Sequence, residues 1–376
     1  MKIAYVLGGL WHHHPGLQSK ILGAAQVWEK AGNEVSLVLY SEGEIIDAHG
    51  NTISFVDCKK AEQLGAYYNT NLNKFTRLFM LRHQYAFLQD TLASLQPDVV
   101  YARYAFPFFG VRQAFSSVCP YIIEINSDDL IEYGLKNPVT GFYNRIFRKN
   151  LLEGAAGLSF ISKELSLSDS FNWYKGKSTV VSNSIMCDDF PFNLDTQNKI
   201  PNICFIGSPN QSWHGLDKLN VLIERYSQWQ FHIIGPNREE CMRVGIKDLD
   251  NVVFHGYLSA KESKQLLSKM DAGISTLALH RKKMNEASPL KSRQYLAQGI
   301  PFISAYDDTG IPLIDCVYKL PNTESNVEDN LDTIGSFIDQ VFQNLTLRQE
   351  ARNFAVVNLD SCVIEHKRFE FLLSCL

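Results

Sequence analysis

The sequence predicts an α/β protein built from two doubly wound Rossmann-like domains facing across a cleft. Three observations predict it. The chain has 376 residues, long for one hydrophobic core. Short apolar runs rich in β-branched residues end in glycine or polar loops, as buried parallel strands do. Helical spacing separates those runs, and the alternation occurs twice.

In the first series, KIAYVLGG is a strand, LQSKILGAAQVWEKAGN a helix stopped by Gly32-Asn33, and EVSLVLY the next strand. Strands follow at PDVVYARY, PYIIEIN and GLSFIS, with helices over 73–95, 108–117 and 142–155 between them. The polar, proline-bearing segment 186–201 reads as a linker. The second series runs NICFIG, helix 215–226, QFHIIG, NVVFHG, helix 259–269, AGISTL, helix 288–298 and PFISA. The organisation expected is an N-terminal Rossmann-like domain over 1–185, the linker 186–201, a C-terminal Rossmann-like domain over 202–355, and a C-terminal helix over 356–376 packing back towards the first domain. In sheets of this kind ligands collect beyond the carboxyl ends of the strands.

Hydrophobic content of 45% with 20% charged residues fits a soluble globular chain, and a net charge of −4 gives no global attraction to nucleic acid. One local cluster, GLKNPVTGFYNRIFRK at 134–149, mixes Lys and Arg with Phe and Tyr. It can dock on an anionic membrane surface or be an ordinary solvated helix face or loop. Eight cysteines lie far apart without CxxC pairs, which fits reduced thiols in a cytoplasm. The apolar start MKIAYVLGGL is short for a secretory signal, and no run approaches the ~20 apolar residues of a spanning helix. The expected location is cytoplasmic, free or peripheral at the inner face of a membrane. Consecutive histidines, 12–14, do not converge easily on one ion, so no metal site is expected.

The chemistry concentrates in NEASPLKSRQYLAQGIP, 285–301. Ser288 can serve as N-cap and Pro289 suits the first helical position. Lys291 and Arg293 then stand where the helix dipole is already positive. They become favourable there if a bound diphosphate supplies negative charge, since free amides at a helix start bind phosphate. Glu286 lies just outside the helix and Gln294 eight positions later, a separation on the order of 10 Å that suits a nucleotide sugar. Upstream, HRKK at 280–283 is either further positive charge for the same ligand or solvated surface.

Here the chain resembles the retaining GT-B glycosyltransferases of glycosyltransferase family 4. EASPLKSRQYLAQGIP looks like their acidic signature ahead of a helix and an (A/G)xGxP strand entry. PGLQSKILGAAQVWEKAGNEVSLV resembles the first glycine loop and helix, ISKEL and VSNSI the inter-domain strands, and FIGSPNQSWHGLDKL the opening of the second domain. FHIIGPN and VVFHGYLSAKESKQLLSKMDAGIST continue the match in order.

By that resemblance Glu286 binds donor-sugar hydroxyls and, with Lys291, forms the catalytic pair. The implied donor-binding residues are Gly16, Gly207, Ser208, His214, Tyr257, Ser288, Pro289, Leu290 and Gln294. The implied acceptor-binding residues are Gln18, Arg103, Glu124 and Asn126, with Glu124 alternatively a structural anchor and Arg103 alternatively paired with a local acid. Four positions depart from the family: Gln294 stands for the usual Glu, Ser208 for an Arg, His214 for a Lys and Asn126 for a His found in many relatives. The implied activity is hexosyl transfer with retention, from a nucleotide sugar to a saccharide or lipid-linked saccharide in surface-polysaccharide synthesis, without a cofactor or metal. Two rivals stand beside it. One is a non-catalytic GT-B-like subunit that binds a glycan or a partner. The other is a nicotinamide oxidoreductase, suggested by LGGLWHHHPG after a strand and Glu42 after the next, although the loop lacks GxGxxG.

Overall fold

The computed structural model describes residues 1–8, 11, 15–55, 74–107, 110–136, 138–209 and 211–376. The chain forms two compact units, one comprising Met1–Ser182 with Ile364–Leu376, the other Asn183–Val363.

Unit 1 contains β1 (Lys2–Leu7), α1 (Pro15–Lys30), β2 (Glu34–Leu39), β3 (Glu44–Ile46), β4 (Thr52–Phe55), α2 (Lys74–Leu95), β5 (Val99–Arg103) and α3 (Val111–Ser116). Then come β6 (Tyr121–Ile125), α4 (Asp129–Lys136), α5 (Pro138–Glu153), β7 (Gly157–Phe160), α6 (Lys163–Leu167) and β8 (Lys177–Val180). Its sheet has the order β4-β3-β2-β1-β5-β6-β7-β8, parallel from β2 to β8. β3 and β4 extend it antiparallel, an edge that the sequence patterns leave unmarked because both strands are short.

Ile3 to Leu7 of β1 are all buried, as a strand covered on both faces requires. On one face Trp28 of α1 stacks on Tyr5 at 5.6 Å and meets Tyr101 edge-on at 5.3 Å. Phe369 lies 6.4 Å from Trp28, so the end of the chain closes this layer. Gly157 makes room for it: a Cβ there would stand 2.6 Å from the Cys375 sulfur and 2.7 Å from the Phe371 ring.

Unit 2 contains β9 (Asn202–Ile206), α7 (Leu219–Arg225), β10 (Gln230–Ile234), α8 (Arg238–Arg243), β11 (Val252–Gly256), α9 (Ala260–Leu267) and β12 (Ala272–Ile274). It continues through β13 (Glu286–Ala287), α10 (Leu290–Ala297), β14 (Phe302–Ser304), β15 (Asp307–Asp308), β16 (Val317–Lys319), α11 (Leu331–Val341), α12 (Leu345–Asn358) and α13 (Ser361–Ser374). The six-stranded sheet, β11-β10-β9-β12-β14-β16, is parallel throughout, with order reversing at β9 and β12. Capping boxes start α8 (Asn237 with Glu240) and α9 (Ser259 with Glu262). α13 begins in unit 2 and belongs to unit 1 from Ile364 onward.

Several local expectations are corrected. ISKEL is not a strand: Ser162 accepts from the Leu165 N–H and caps α6. The helix expected over 142–155 starts earlier, at Pro138, and α4 precedes it. Residues 186–201 belong to unit 2, where Cys187 and Phe190 enter the core. α10 starts at Leu290 with Pro289 as its N-cap, not with Ser288.

Candidate functional site

Within unit 2, the residues singled out in the sequence gather beyond the carboxyl ends of the parallel strands. Gly207 and Ser208 follow β9, Tyr257 follows β11, and Glu286 to Gln294 lie between β12 and β14. The loops after β9 and β10 touch backbone to backbone. Gly235 has φ +106°, and a Cβ there would stand 1.8 Å from the Gly207 carbonyl oxygen. At Gly207 itself, a Cβ would come within 2.8 Å of His214 Nδ1 and 2.7 Å of the Phe205 ring. Only glycine fits in this corner.

Lys291, in the first turn of α10, points into the same corner. Its Nζ lies 4.5 Å from the centroid of the Phe205 ring, and that ring is 6.2 Å from the His214 ring. Lys291 is buried and its ammonium has no hydrogen-bond acceptor among the described residues. Two other buried lysines are satisfied. Lys218 donates to the carbonyls of Leu277 and Thr323 and to Asn326 Oδ1 at 3.3, 2.7 and 2.9 Å, and Lys20 to Glu124 at 2.5 Å. Burial therefore pulls the Lys291 ammonium down to about 7. His214 is shifted well below the usual histidine value, first by burial and then by the charges of Lys291 and Lys282, so its imidazole is neutral. Its Nδ1 also has no partner.

Neighbouring polar groups are committed elsewhere. Ser288 is buried, its hydroxyl accepting the Asn183 N–H at 2.9 Å and its carbonyl accepting from Asn183 Nδ2 at 2.5 Å. No side chain caps α10. Arg293 is neutralised by a bidentate pair with Asp308 at 2.5 Å on both branches. HRKK is not a free basic cluster: Arg281 pairs with Asp217 at 2.8 Å and with Glu324, and His280 meets Glu324 at 2.7 Å. Lys282 lies over the Trp213 ring at 4.4 Å. Pro289, Leu290 and Gln294 are half-buried, and Tyr257 is exposed. Glu286 is half-buried on β13, paired in register with Asp307 of β15.

The candidates in unit 1 divide into two kinds. Glu124, at the end of β6, is wholly buried and serves as an anchor: it accepts from Lys20 at 2.5 Å, Tyr101 at 3.2 Å and Asn126 at 2.9 Å, and lies 3.4 Å from Arg368 Nε. Its side chain has no exposed surface in this structure. Half-exposed Arg103 and Asn126 sit over it, joined by a 3.1 Å hydrogen bond. Gly16 is half-buried in α1, and Gln18 donates to the Trp11 carbonyl at 3.0 Å. Glu42 accepts the Trp11 N–H at 2.6 Å. The histidines 12–14 lie outside the described residues. Sequence reasoning missed Phe205, Lys20 and Arg368. Their alternation and helical spacing mark them as buried but do not reveal their partners.

The two doubly wound units make the GT-B fold. Solved structures share it along the whole chain. Sucrose-phosphate synthase (tll1590) from Thermosynechococcus elongatus has a TM-score of 0.74 at 13% identity, covering 100% of this chain and 98% of its own. A glycosyltransferase from Rickettsia africae ESF-5 has 0.64 at 13%, with coverage of 100% and 98%. Anabaena Alr3699/HepE in complex with UDP-glucose has 0.64 at 15%, with full coverage of both chains. At these identities the likeness is one of fold. No protein-family model and no curated protein sequence matches the chain.

Proposed function

We propose that the chain is a retaining glycosyltransferase that moves a sugar from a nucleotide-diphosphate-sugar donor to a saccharide or lipid-linked saccharide acceptor in cell-surface polysaccharide synthesis. One observation carries the reading: the Lys291 ammonium is buried without an acceptor at the uncapped start of α10, where a diphosphate would supply its counter-charge. The likeness of fold to a structure holding UDP-glucose supports a uridine donor.

In this reading the donor diphosphate lies against Gly207 and the first turn of α10. The bond between the sugar's anomeric carbon and the diphosphate oxygen breaks. The acceptor hydroxyl attacks from the same face, and its proton passes to the leaving diphosphate. Lys291 and the helix amides stabilise the charge that develops there, while Glu286 and Gln294 hold sugar and ribose hydroxyls. Neutral His214 offers the diphosphate a hydrogen bond rather than a charge.

The neutral His214, with Ser208 and Gln294, also favours a second reading, a GT-B-like subunit that binds a glycan or a partner without transfer. Transfer of labelled sugar from UDP- or GDP-sugars separates the two. The first reading expects turnover that Glu286→Ala and Lys291→Ala each abolish. Activity unchanged in both variants sinks the site assignment. A nicotinamide dehydrogenase is disfavoured because the Glu42 carboxylate already holds the Trp11 N–H. Stabilisation by NAD and not by any nucleotide sugar would reverse that preference.

A further inference from the structure

Helix α5 has its polarity reversed over its first three turns; only at its end do apolar side chains, Leu151 and Leu152, enter the core. Its inward face is fixed by polar side chains: Arg148 grips Asp129 at 2.6 and 2.8 Å and the Ser170 carbonyl at 2.8 Å, and Asn144 donates to Asp129 at 2.6 Å and accepts from Tyr104 at 2.8 Å. Arg148 and Asn144 are buried. Facing outward, at spacings of three and four residues, are Val139, Phe142 and Ile146, exposed by 76%, 67% and 52%. Phe147 beside them is 38% exposed. A soluble helix puts its apolar residues inward, and the bonds to Asp129 prevent this one from rolling over.

Charge is segregated on the same stretch. From Gly134 to Leu152 there are four basic residues, Lys136, Arg145, Arg148 and Lys149, and no Asp or Glu, in a chain whose net charge is −4. Arg145 and Lys149 are exposed on α5, next to the apolar line, and Lys149 also lies 3.5 Å from Glu153, the first acid beyond that stretch. Large apolar and aromatic side chains flanked by Arg and Lys match the boundary between headgroups and acyl chains in an anionic bilayer. Among the described residues no helix is long and apolar enough to cross a membrane.

We infer that the outward face of α5 docks the chain on an anionic lipid surface, inserting Phe142 and Ile146 with Arg145 and Lys149 at headgroup level. The helix opens near the carboxyl end of the sheet, where Arg103 and Asn126 lie: Phe106, three residues beyond Arg103, stacks on Tyr143 at 5.1 Å. If the proposed transfer chemistry holds, this placement favours a lipid-linked acceptor over a soluble one. Docking itself does not depend on that chemistry.

The test is co-sedimentation of the full chain with phosphatidylcholine vesicles, with and without phosphatidylglycerol. Expected is binding to the anionic vesicles that salt weakens, and a loss of roughly tenfold or more in a Phe142→Ser, Ile146→Ser double variant whose thermal melt is unchanged. Arg145→Glu, which leaves the apolar line intact, should weaken binding to anionic vesicles about tenfold. No binding, or equal binding by the double variant, overturns the inference. So does lipid-free self-association that the double variant abolishes, which would make this face a contact between copies of the chain. UDP binding measured without vesicles reads the transferase proposal separately.

Discussion

The Lys291 ammonium stands 4.5 Å from the centre of the Phe205 ring and, among the described residues, finds no oxygen to receive its protons. A ring face stabilises a cation modestly, by about 2 kcal/mol when desolvated. Burying an ammonium costs several. The unit therefore carries a local cost at the place where the reading needs a positive charge.

That cost is measurable. With the Lys291 pKa lowered from 10.5 to about 7, the unfolded chain holds more protons than the folded one between those values, so stability rises with pH across that window. Below it the penalty is complete. Lys291→Met should stabilise the free protein at pH 7 by on the order of 1–3 kcal/mol. Denaturant melts at pH 6.5 and 9.5 should show this advantage shrinking as pH rises. A constant difference contradicts the burial argument.

A bound diphosphate should raise the Lys291 pKa again by opposite charge. UDP affinity is then greatest below about pH 7 and falls towards tenfold per pH unit above it, with protons taken up on binding. Calorimetry in two buffers of different ionisation enthalpy at pH 8 reads the uptake directly. Zero uptake would mean that Lys291 is already protonated or is not the ligand.

His214→Lys tests the departure at that position. A third cation beside Lys291 and Lys282 should cost the free protein roughly 1–2 kcal/mol and tighten UDP about tenfold. Thermal melts with and without UDP give both effects from one variant. Destabilisation without tighter binding would mean the diphosphate does not reach His214.

In unit 1, Glu124→Gln should cost roughly 3–5 kcal/mol, because Lys20 and Arg368 would stay buried without their shared carboxylate. Burial alone would raise the Glu124 pKa, but Lys20, Arg368 and Arg103 outweigh it and hold the carboxyl well below its ordinary range. The contribution is therefore present in full above the unfolded glutamate value and fades as pH falls below it. Melting at pH 7 and pH 3.5 checks this: the gap between wild type and variant should narrow in acid.

The parallel strands and their helices were legible because apolar runs and helical spacing encode burial directly. NICFIG and QFHIIG became β9 and β10 within a residue, and AGISTL became β12 with its last three residues outside the strand. Less legible was which polar residue meets which. Ser288 has the composition of an N-cap, yet Asn183, 105 positions away, takes its hydroxyl. Arg293 looks like a phosphate ligand beside Lys291 until Asp308 closes on it. HRKK reads as charge, and Asp217 and Glu324 take up its Arg281. Such pairings depend on three-dimensional closure, which local spacing does not contain.

The most direct measurement is a crystal structure of the chain with UDP. The expected result is phosphate oxygens at the amino end of α10, within hydrogen-bond reach of Lys291 Nζ and beside Gly207. UDP bound elsewhere with Lys291 still unpaired, or no UDP at saturating concentration, would contradict it.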